Sequence, residues 1–508
     1  MNSHTRGIAR NAAVVGGATL ISRILGFARD LIIAYALGAG PIADAFFVAF
    51  RLPNLMRRLF GEGSLTMAFV PVYSRIREEQ GPAAAFAMAR SVHVWLAIIL
   101  GVVTALALVF ARPLTIAIAP GFASDPAQLA LTTDLVRICF PYTVFICGVA
   151  LCMGILNAEG HFLTPALSPC VLNIVLIAAA LSAVWLDLSV PHVLAWGVLA
   201  AGVLQWVLQQ PSMLSRGFRW TGTWSFNDPG VKRTGRLMLP TVFGAAVYQI
   251  NILIGTLLAS LLPAGSISYL YYADRLVQFP LGVFGVAVST AALPSLSRLA
   301  ARSDMEGFRE ALNASLRLTL FIALPAAAGL VALSEPVVQL LFQRGAFEAE
   351  AVRATALALV AYGLGLPAFA LVRPLVSAFY ALEDTRMPVI AATLSVAVYV
   401  ACGVAMMQGM GHVGLALATT VSSWFNTFFL MWALRRRLGQ WADWHRACVA
   451  FTLLGVAIGL GAWATTGMGV WAVAFIPVWA VAYALGALAF RVPEATMMAD
   501  ALRRRIAR

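Results

Sequence analysis

Charge is what this sequence has least of. Asp, Glu, Lys and Arg make up 11% of its 508 residues while 61% are hydrophobic, and a soluble domain carries roughly a quarter of its residues charged. A soluble protein of this composition could not cover its surface with polar groups, so its solvent is a bilayer. In a bilayer only α-helices and closed β-barrels satisfy their own backbones. The alternation that barrel strands require is also missing. Apolar runs such as Val94–Phe110 and Val171–Leu186 are long and continuous, which calls for helices of about 20 residues each.

Other scarcities exclude further classes. The six cysteines (Cys139, Cys147, Cys152, Cys170, Cys402 and Cys448) all lie in apolar runs, without metal spacing or a loop to bridge. They read as small packing residues. The six histidines are scattered, with no ligand-like spacing. No metal site and no cofactor are expected, and with no P-loop ATP does not drive the chain directly. The first apolar stretch carries Arg23, Arg29 and Asp30 in its body, unlike a cleavable signal. The net charge of +13 would suggest nucleic acid in a soluble protein, but no nucleic-acid module is recognisable.

What is present is a run of about 14 apolar spans. They fall near 12–38, 42–74, 84–111, 132–157, 165–186, 192–215, 235–262, 267–299, 308–331, 351–381, 388–407, 411–434, 446–466 and 469–490. Basic residues gather in alternate loops, for example Arg75, Arg77 and Arg90, or Arg435, Arg436 and Arg437, and again at the end in Arg503, Arg504, Arg505 and Arg508. By the positive-inside rule both termini are cytoplasmic.

The chain also repeats itself. Gly40-Pro-Ile-Ala-Asp44, Ala49-Phe-Arg51 and Val70-Pro71-Val-Tyr-Ser-Arg75 are echoed by Gly265-Ser-Ile-Ser268, Ala273-Asp-Arg275 and Leu293-Pro294-Ser-Leu-Ser-Arg298. A second echo pairs Ile155-Leu-Asn-Ala-Glu159…Pro165 with Phe379-Tyr-Ala-Leu-Glu383…Pro388. The offset spans six helices, so the halves share one orientation, as in transporters whose lobes rock around a central site. The expected organisation is an all-α polytopic membrane protein. It has an N-terminal lobe over 1–220, a C-terminal lobe over 221–440, and two additional helices with a basic tail over 441–508.

Ionisable residues inside spans are costly, about 2.5–3.5 kcal/mol each on insertion scales, and are functional candidates by default. They concentrate in spans one, two and eight. Span one carries Arg23, Arg29 and Asp30, with Gly26 allowing a bend or a close approach. In span two Asp44, Arg51, Leu55, Arg58 and Glu62 follow one helical stripe, beside Asn54 and Arg57, with Pro53 distorting its phase. Span eight carries Tyr271, Tyr272, Asp274, Arg275 and Gln278. Arginine outnumbers carboxylate in this band, and guanidinium suits bidentate pairing with phosphate. The ligand expected is therefore a phosphate or pyrophosphate anion. Buried arginines can also be structural, paired with carboxylates and carbonyls, or can snorkel near span ends. Arg137, Arg317 and Arg373 stand as solitary arginines. The tryptophans near span ends, among them Trp441 and Trp444, read as an interfacial belt. Ser334–Glu350 reads as an amphipathic external helix.

These motifs resemble a known family. Ser22-Arg23-Ile-Leu-Gly26-Phe-Ala-Arg29-Asp30, the stretch from Asp44 through Arg51-Leu-Pro53-Asn54-Leu-Met-Arg57-Arg58 to Glu62-Gly63, and Tyr271-Tyr272-Ala-Asp274-Arg275-Leu276 are similar to the signatures of the MurJ (MviN) lipid II flippases. The resemblance runs along essentially the whole chain. It implies the fold of the multidrug/oligosaccharidyl-lipid/polysaccharide exporter superfamily, two six-helix lobes plus two helices. It implies transport of lipid II, the undecaprenyl-pyrophosphate-linked peptidoglycan precursor, from the cytoplasmic to the periplasmic leaflet of the inner membrane by alternating access. It places essential cavity residues at Arg23, Arg29, Asp44, Arg57 and Arg275, and a groove for the polyprenyl tail in the last two spans. Partners implied are lipid II, membrane lipids and the cell-wall synthesis machinery, with no nucleic acid. Gln278 stands where many relatives have an acidic residue, and Arg51 where some have lysine. Some relatives hold a sodium ion; no oxygen ligands for it are assigned here.

Two other readings remain open on the residues alone. One is a flippase of another polyprenyl-linked oligosaccharide with the same fold. The other is a polyprenyl-phosphate enzyme, which would need paired carboxylates or a metal motif in an external loop. Those loops hold isolated acids such as Asp125, Asp187 and Glu335, so no catalytic residue is assigned and a transporter is expected.

Overall fold

A computed structural model describes residues 3–61, 64–282, 286–439, 445–490 and 492–496. Every regular element among them is helical. Packing divides the chain into two compact units, Met1–Gly265 with Arg344–Phe347, and Ser266–Gln343 with Glu348–Arg508. These units are defined by packing, whereas the expected lobes follow the repeat.

The first unit contains α1 (Ser3–Leu37), α2 (Pro41–Met56), α3 (Ser64–Gln80), α4 (Pro82–Val109), α5 (Ala111–Ile118), α6 (Pro126–Cys139), α7 (Tyr142–Ala158), α8 (Leu163–Trp185), α9 (Val190–Leu214) and α10 (Pro229–Ser260). Here α8 packs between α1 and α9, and α3 packs on α7 and α10. The second contains α11 (Ser266–Pro280), α12 (Val286–Ala301), α13 (Met305–Ala332), α14 (Ser334–Phe342), α15 (Ala349–Gly363), α16 (Leu366–Ala381), α17 (Arg386–Leu438), α18 (His445–Ala464) and α19 (Ile476–Ala489). Its core is built from Leu312, Leu316, Phe321, Leu375, Phe379 and Phe451.

Seven described helical stretches are long and apolar enough to cross a membrane, and eight if α15 and α16, bent by 42° across a short break, form one span. Spans one, two and eight are not among them. They are the stretches that hold the charges, and the second and eighth are also broken. Span two is α2, a π turn over Arg57–Gly61, then α3. Span eight is α11, a π turn beginning at Leu281, then α12. Pro53 precedes the first turn and Pro280 the second. A proline removes one backbone hydrogen bond and clashes with the preceding turn, and a local π bulge is one way a helix absorbs this. The extra residue in the turn shifts the helical phase, so the expected stripe does not continue unbroken past Arg57.

The second echo shifts by one residue when read on the backbone. His161 N–H donates to Leu156 O at 2.8 Å, and Asp384 N–H donates to Phe379 O at 2.9 Å. Each bond closes a helix end over a left-handed residue, Gly160 (φ 75°) and Glu383 (φ 57°). Gly160 therefore corresponds to Glu383, and Pro165 to Pro388. The two glutamates of the echo are not equivalent. Glu159 is buried against Arg77 and Tyr73, whereas Glu383 is exposed and its neighbour Asp384 takes Arg437 at 2.8 Å.

Two of the arginines read as solitary are paired. Arg317 on α13 meets Glu494 through two contacts, at 2.7 and 3.2 Å, which ties the short stretch after α19 to α13. The Tyr483 hydroxyl donates to Phe321 O at 2.9 Å on the same face. Arg137 lies 3.3 Å from Asp134, with both side chains about half exposed, a pair worth little in free energy. The expected external helix over 334–350 is shorter than its amphipathic pattern: α14 stops at Phe342, and Gly345 (φ 57°) turns the chain before α15. Trp441, Trp444 and the basic residues Arg503, Arg504, Arg505 and Arg508 lie outside the described residues.

Candidate functional site

The first unit gathers most of the expected site residues. Arg29 and Asp30 are neighbours on α1, and the guanidinium folds back so that Nε (3.0 Å) and Nη2 (2.6 Å) both donate to Asp30 Oδ1. Its Nη1 donates to Asn173 Oδ1 on α8 at 3.0 Å, and Asn173 Nδ2 donates to the Ser22 carbonyl at 3.0 Å. Asp30 is 2% exposed and Asn173 5%. A Cβ at Gly26 would stand 3.6 Å from Asn173 Nδ2, an ordinary contact, so the approach of α8 does not depend on that glycine. Arg23 is exposed on the same helix.

Span two contributes on two sides of its π turn. Asp44, buried near the start of α2, accepts the Gly265 N–H at 2.7 Å. Two turns on, Arg51 Nη1 meets Thr256 Oγ1 and, at 3.5 Å, Ile252 O, both on α10. Asp44 and Arg51 thus face the same direction, as their seven-residue spacing requires. Arg57 Nε donates to Asn54 Oδ1 at 3.0 Å. Arg58 Nε is buried without a hydrogen-bond partner among the described residues. Glu62 lies outside the described residues.

In the second unit the span-eight residues form their own group on α11. The Arg275 guanidinium stacks 4.6 Å over the Tyr271 ring, a cation–π contact. Asp274 Oδ2 accepts from Gln278 Nε2 at 2.9 Å, so Gln278 serves that carboxylate as a neutral donor. Tyr272 is fully buried against Phe342.

The chemistry open to the first unit follows from its inventory. The described candidates of the first unit comprise five arginines, Arg23, Arg29, Arg51, Arg57 and Arg58, and two carboxylates, Asp30 and Asp44. Guanidinium groups cannot shed their charge, and arginine is the side chain suited to bidentate pairing with a phosphate-type anion. Asn173, Thr256 and the Gly265 N–H escaped sequence reading. The available signal was Asn173 itself, an amide inside the apolar run Val171–Leu186, where a buried polar side chain must find partners.

Comparisons with known proteins bear on the family and the fold. A model of the family described as "Lipid II flippase MurJ" matches residues 33–492. The chain is similar to a probable lipid II flippase MurJ of Rhizobium meliloti (strain 1021), 41% identical over 444 residues, covering 85% of this chain and 82% of that protein. It is similar to the lipid II flippase MurJ of Burkholderia cenocepacia, 37% identical over 433 residues and 84% of each chain. Among solved structures it resembles "Lipid II flippase MurJ, inward closed conformation", with a TM-score of 0.82 and 28% identity over 94% of this chain and 98% of that one. An inward-facing MATE family transporter of the MOP superfamily shares the fold at a TM-score of 0.69 and 14% identity, over 84% of this chain and 98% of that one. The chain is a polytopic membrane protein and belongs to the lipid II flippase MurJ family.

Proposed function

We propose that this chain carries lipid II from the cytoplasmic to the periplasmic leaflet of the bacterial inner membrane by alternating access, without covalent chemistry. In this reading the chain has about 14 spans and both termini lie in the cytoplasm. The observation that carries the reading is the surplus of arginine over carboxylate in the helices of spans one and two, where Arg29 is held between Asp30 and Asn173. Such charge is costly in a span and is retained where it has work to do. A pyrophosphate offers the planar oxygens that a guanidinium fork matches. We assign headgroup contact to Arg23, Arg29, Arg51, Arg57, Arg58 and Arg275. Asp30, Asp44, Asn54, Glu62 and Asp274 orient the arginines or exchange partners with the headgroup. Binding of the anion relieves repulsion among the arginines, which favours closure behind it.

The test is the accessibility of lipid II to a headgroup-cleaving periplasmic probe in cells depleted of this protein. Accessibility should collapse on depletion and return with the wild-type chain but not with Arg29→Ala, provided the variant inserts normally. Unchanged accessibility, in cells without a second flippase, would reject lipid II as the substrate.

A further inference from the structure

We propose that Asn173 is a positioning residue for Arg29, and that it sets the donor geometry met by the phosphate of the lipid II headgroup. The inference rests on the function proposed above and adds a residue to it. Arg29 is held from two sides by two helices. Asp30 on α1 takes Nε and Nη2, and Asn173 on α8 takes Nη1. A guanidinium held on one edge alone can swing about the long axis of its side chain. One held on two edges, by groups from different helices, presents its remaining surface in a fixed direction.

The Asn173 amide is itself fixed. Its oxygen faces a guanidinium N–H and its nitrogen faces the Ser22 carbonyl, each at 3.0 Å. Flipping the amide would set donor against donor and acceptor against acceptor, so chemistry dictates the orientation. The side chain is 5% exposed, and water cannot readily replace either partner. Asparagine also performs this task without adding charge. Arg29 and Asp30 together are neutral. A carboxylate at position 173 would make the trio negative and oppose an anionic ligand, whereas an amide keeps the second hydrogen bond and leaves the balance unchanged. A neutral acceptor beside an arginine that must meet phosphate is the arrangement this predicts.

The experiment compares Asn173→Ala and Asn173→Ser, each in the wild-type and the Arg29→Lys backgrounds, using purified full-length protein. Lipid II binding is read by titration, and thermal unfolding in detergent is read alongside. Lysine cannot engage Asp30 and Asn173 together as the guanidinium fork does. Positioning therefore predicts about a tenfold loss of lipid II affinity for Asn173→Ala in the wild-type background, the scale of a hydrogen bond to a charged group. In the Arg29→Lys background the same change should cost less than about threefold, because the coupling is already gone. Asn173→Ser, which retains a smaller acceptor, keeps the protein folded if alanine does not and should fall between. Equal losses in both backgrounds, or no loss with Arg29→Ala still defective, would overturn the role of Asn173 and leave the proposed function standing. Undiminished lipid II binding by Arg29→Ala itself would remove the function reading of this site, and the inference with it.

Discussion

The carboxylate of Asp44 accepts the backbone N–H of Gly265 at 2.7 Å, across 221 positions of sequence. It ties the start of α2 to the end of the turn that follows α10. Gly265 has φ 95°, a conformation that favours glycine, and Asp44 is 2% exposed. An aspartate expected to serve the headgroup thus also closes the fold at one end of the first unit.

That double role separates two substitutions. Asp44→Ala leaves a buried N–H without this acceptor and should cost about 1–3 kcal/mol of stability. Asp44→Asn retains an acceptor of the same shape and should unfold close to the wild-type temperature. Both should reduce lipid II accessibility at the outer leaflet, because both remove the charge. Thermal unfolding in detergent with the accessibility assay in cells checks this. Equal stability of the alanine and asparagine variants would refute the tie to Gly265.

Arg51 permits a finer comparison. Its Nη1 reaches both Thr256 Oγ1 and the Ile252 carbonyl on α10. Toward these two acceptors the side chain supplies charge and a single donating nitrogen. Lysine can supply a charge and donors from a flexible stem. Arg51→Lys should therefore support transport within about threefold of wild type, and Arg51→Ala should lower it by about tenfold or more. Complementation of a depleted strain, with membrane insertion measured in parallel, decides the matter. An inactive lysine variant would show that the fork geometry is needed.

Much of the fold was legible because the bilayer imposes it. Once charge is scarce and apolar runs are continuous, helices follow from the backbone alone. The repeat was legible because the same local breaks recur: Pro71 and Pro294 lie inside α3 and α12, and π turns follow α2 and α11. Partnerships were less legible. Arg317 looked solitary because Glu494 lies 177 positions away, and no periodicity joins residues on different helices. Asn173 hid for the same reason. The phase distortion expected from Pro53 falls at the π turn over Arg57–Gly61, a place for which the sequence carries no direct signal. The echo of Glu159 with Glu383 failed by one position because identity of residue outweighed the turn geometry that aligns Gly160 with Glu383.

The short connection after α7 supplies a pH dependence. His161 Nε2 lies 2.6 Å from Thr164 Oγ1, which in turn is 2.9 Å from Ser212 Oγ. Partial burial, and secondarily the charge of Arg216, lower its pKa from the usual 6.5. The folded state therefore resists protonation more than the unfolded chain does. As pH falls through 6.5, the unfolded chain takes up the proton first, and the stabilising contribution present above that value declines. The unfolding temperature should drop on going from about pH 7.5 to 5.5, and His161→Gln should reduce that drop. Identical pH profiles for the two proteins would exclude His161 as the group responsible.

Glu159 closes the same end of α7 with a buried carboxylate. Its side chain is 6% exposed, Arg77 Nη2 lies 2.6 Å from Oε2, and the Tyr73 hydroxyl donates to Oε1 at 2.9 Å. Removing one partner of a fully buried ion pair costs about 3–5 kcal/mol, because the other charge is left uncompensated. Arg77 is 40% exposed, so solvent screens part of that loss, and Arg77→Ala should cost less than the buried-pair figure. Glu159→Gln removes the charge together with the need for its partner and keeps an acceptor for Tyr73, so it should be milder than Arg77→Ala. Tyr73→Phe loses one hydrogen bond to a charged group, about 1.5–3 kcal/mol. The double variant Glu159→Gln, Arg77→Ala then discriminates: if the cost of Arg77→Ala comes from stranding Glu159, the double variant should be more stable than Arg77→Ala alone. Additive losses in thermal unfolding would instead mean that Arg77 stabilises α3 through contacts other than Glu159.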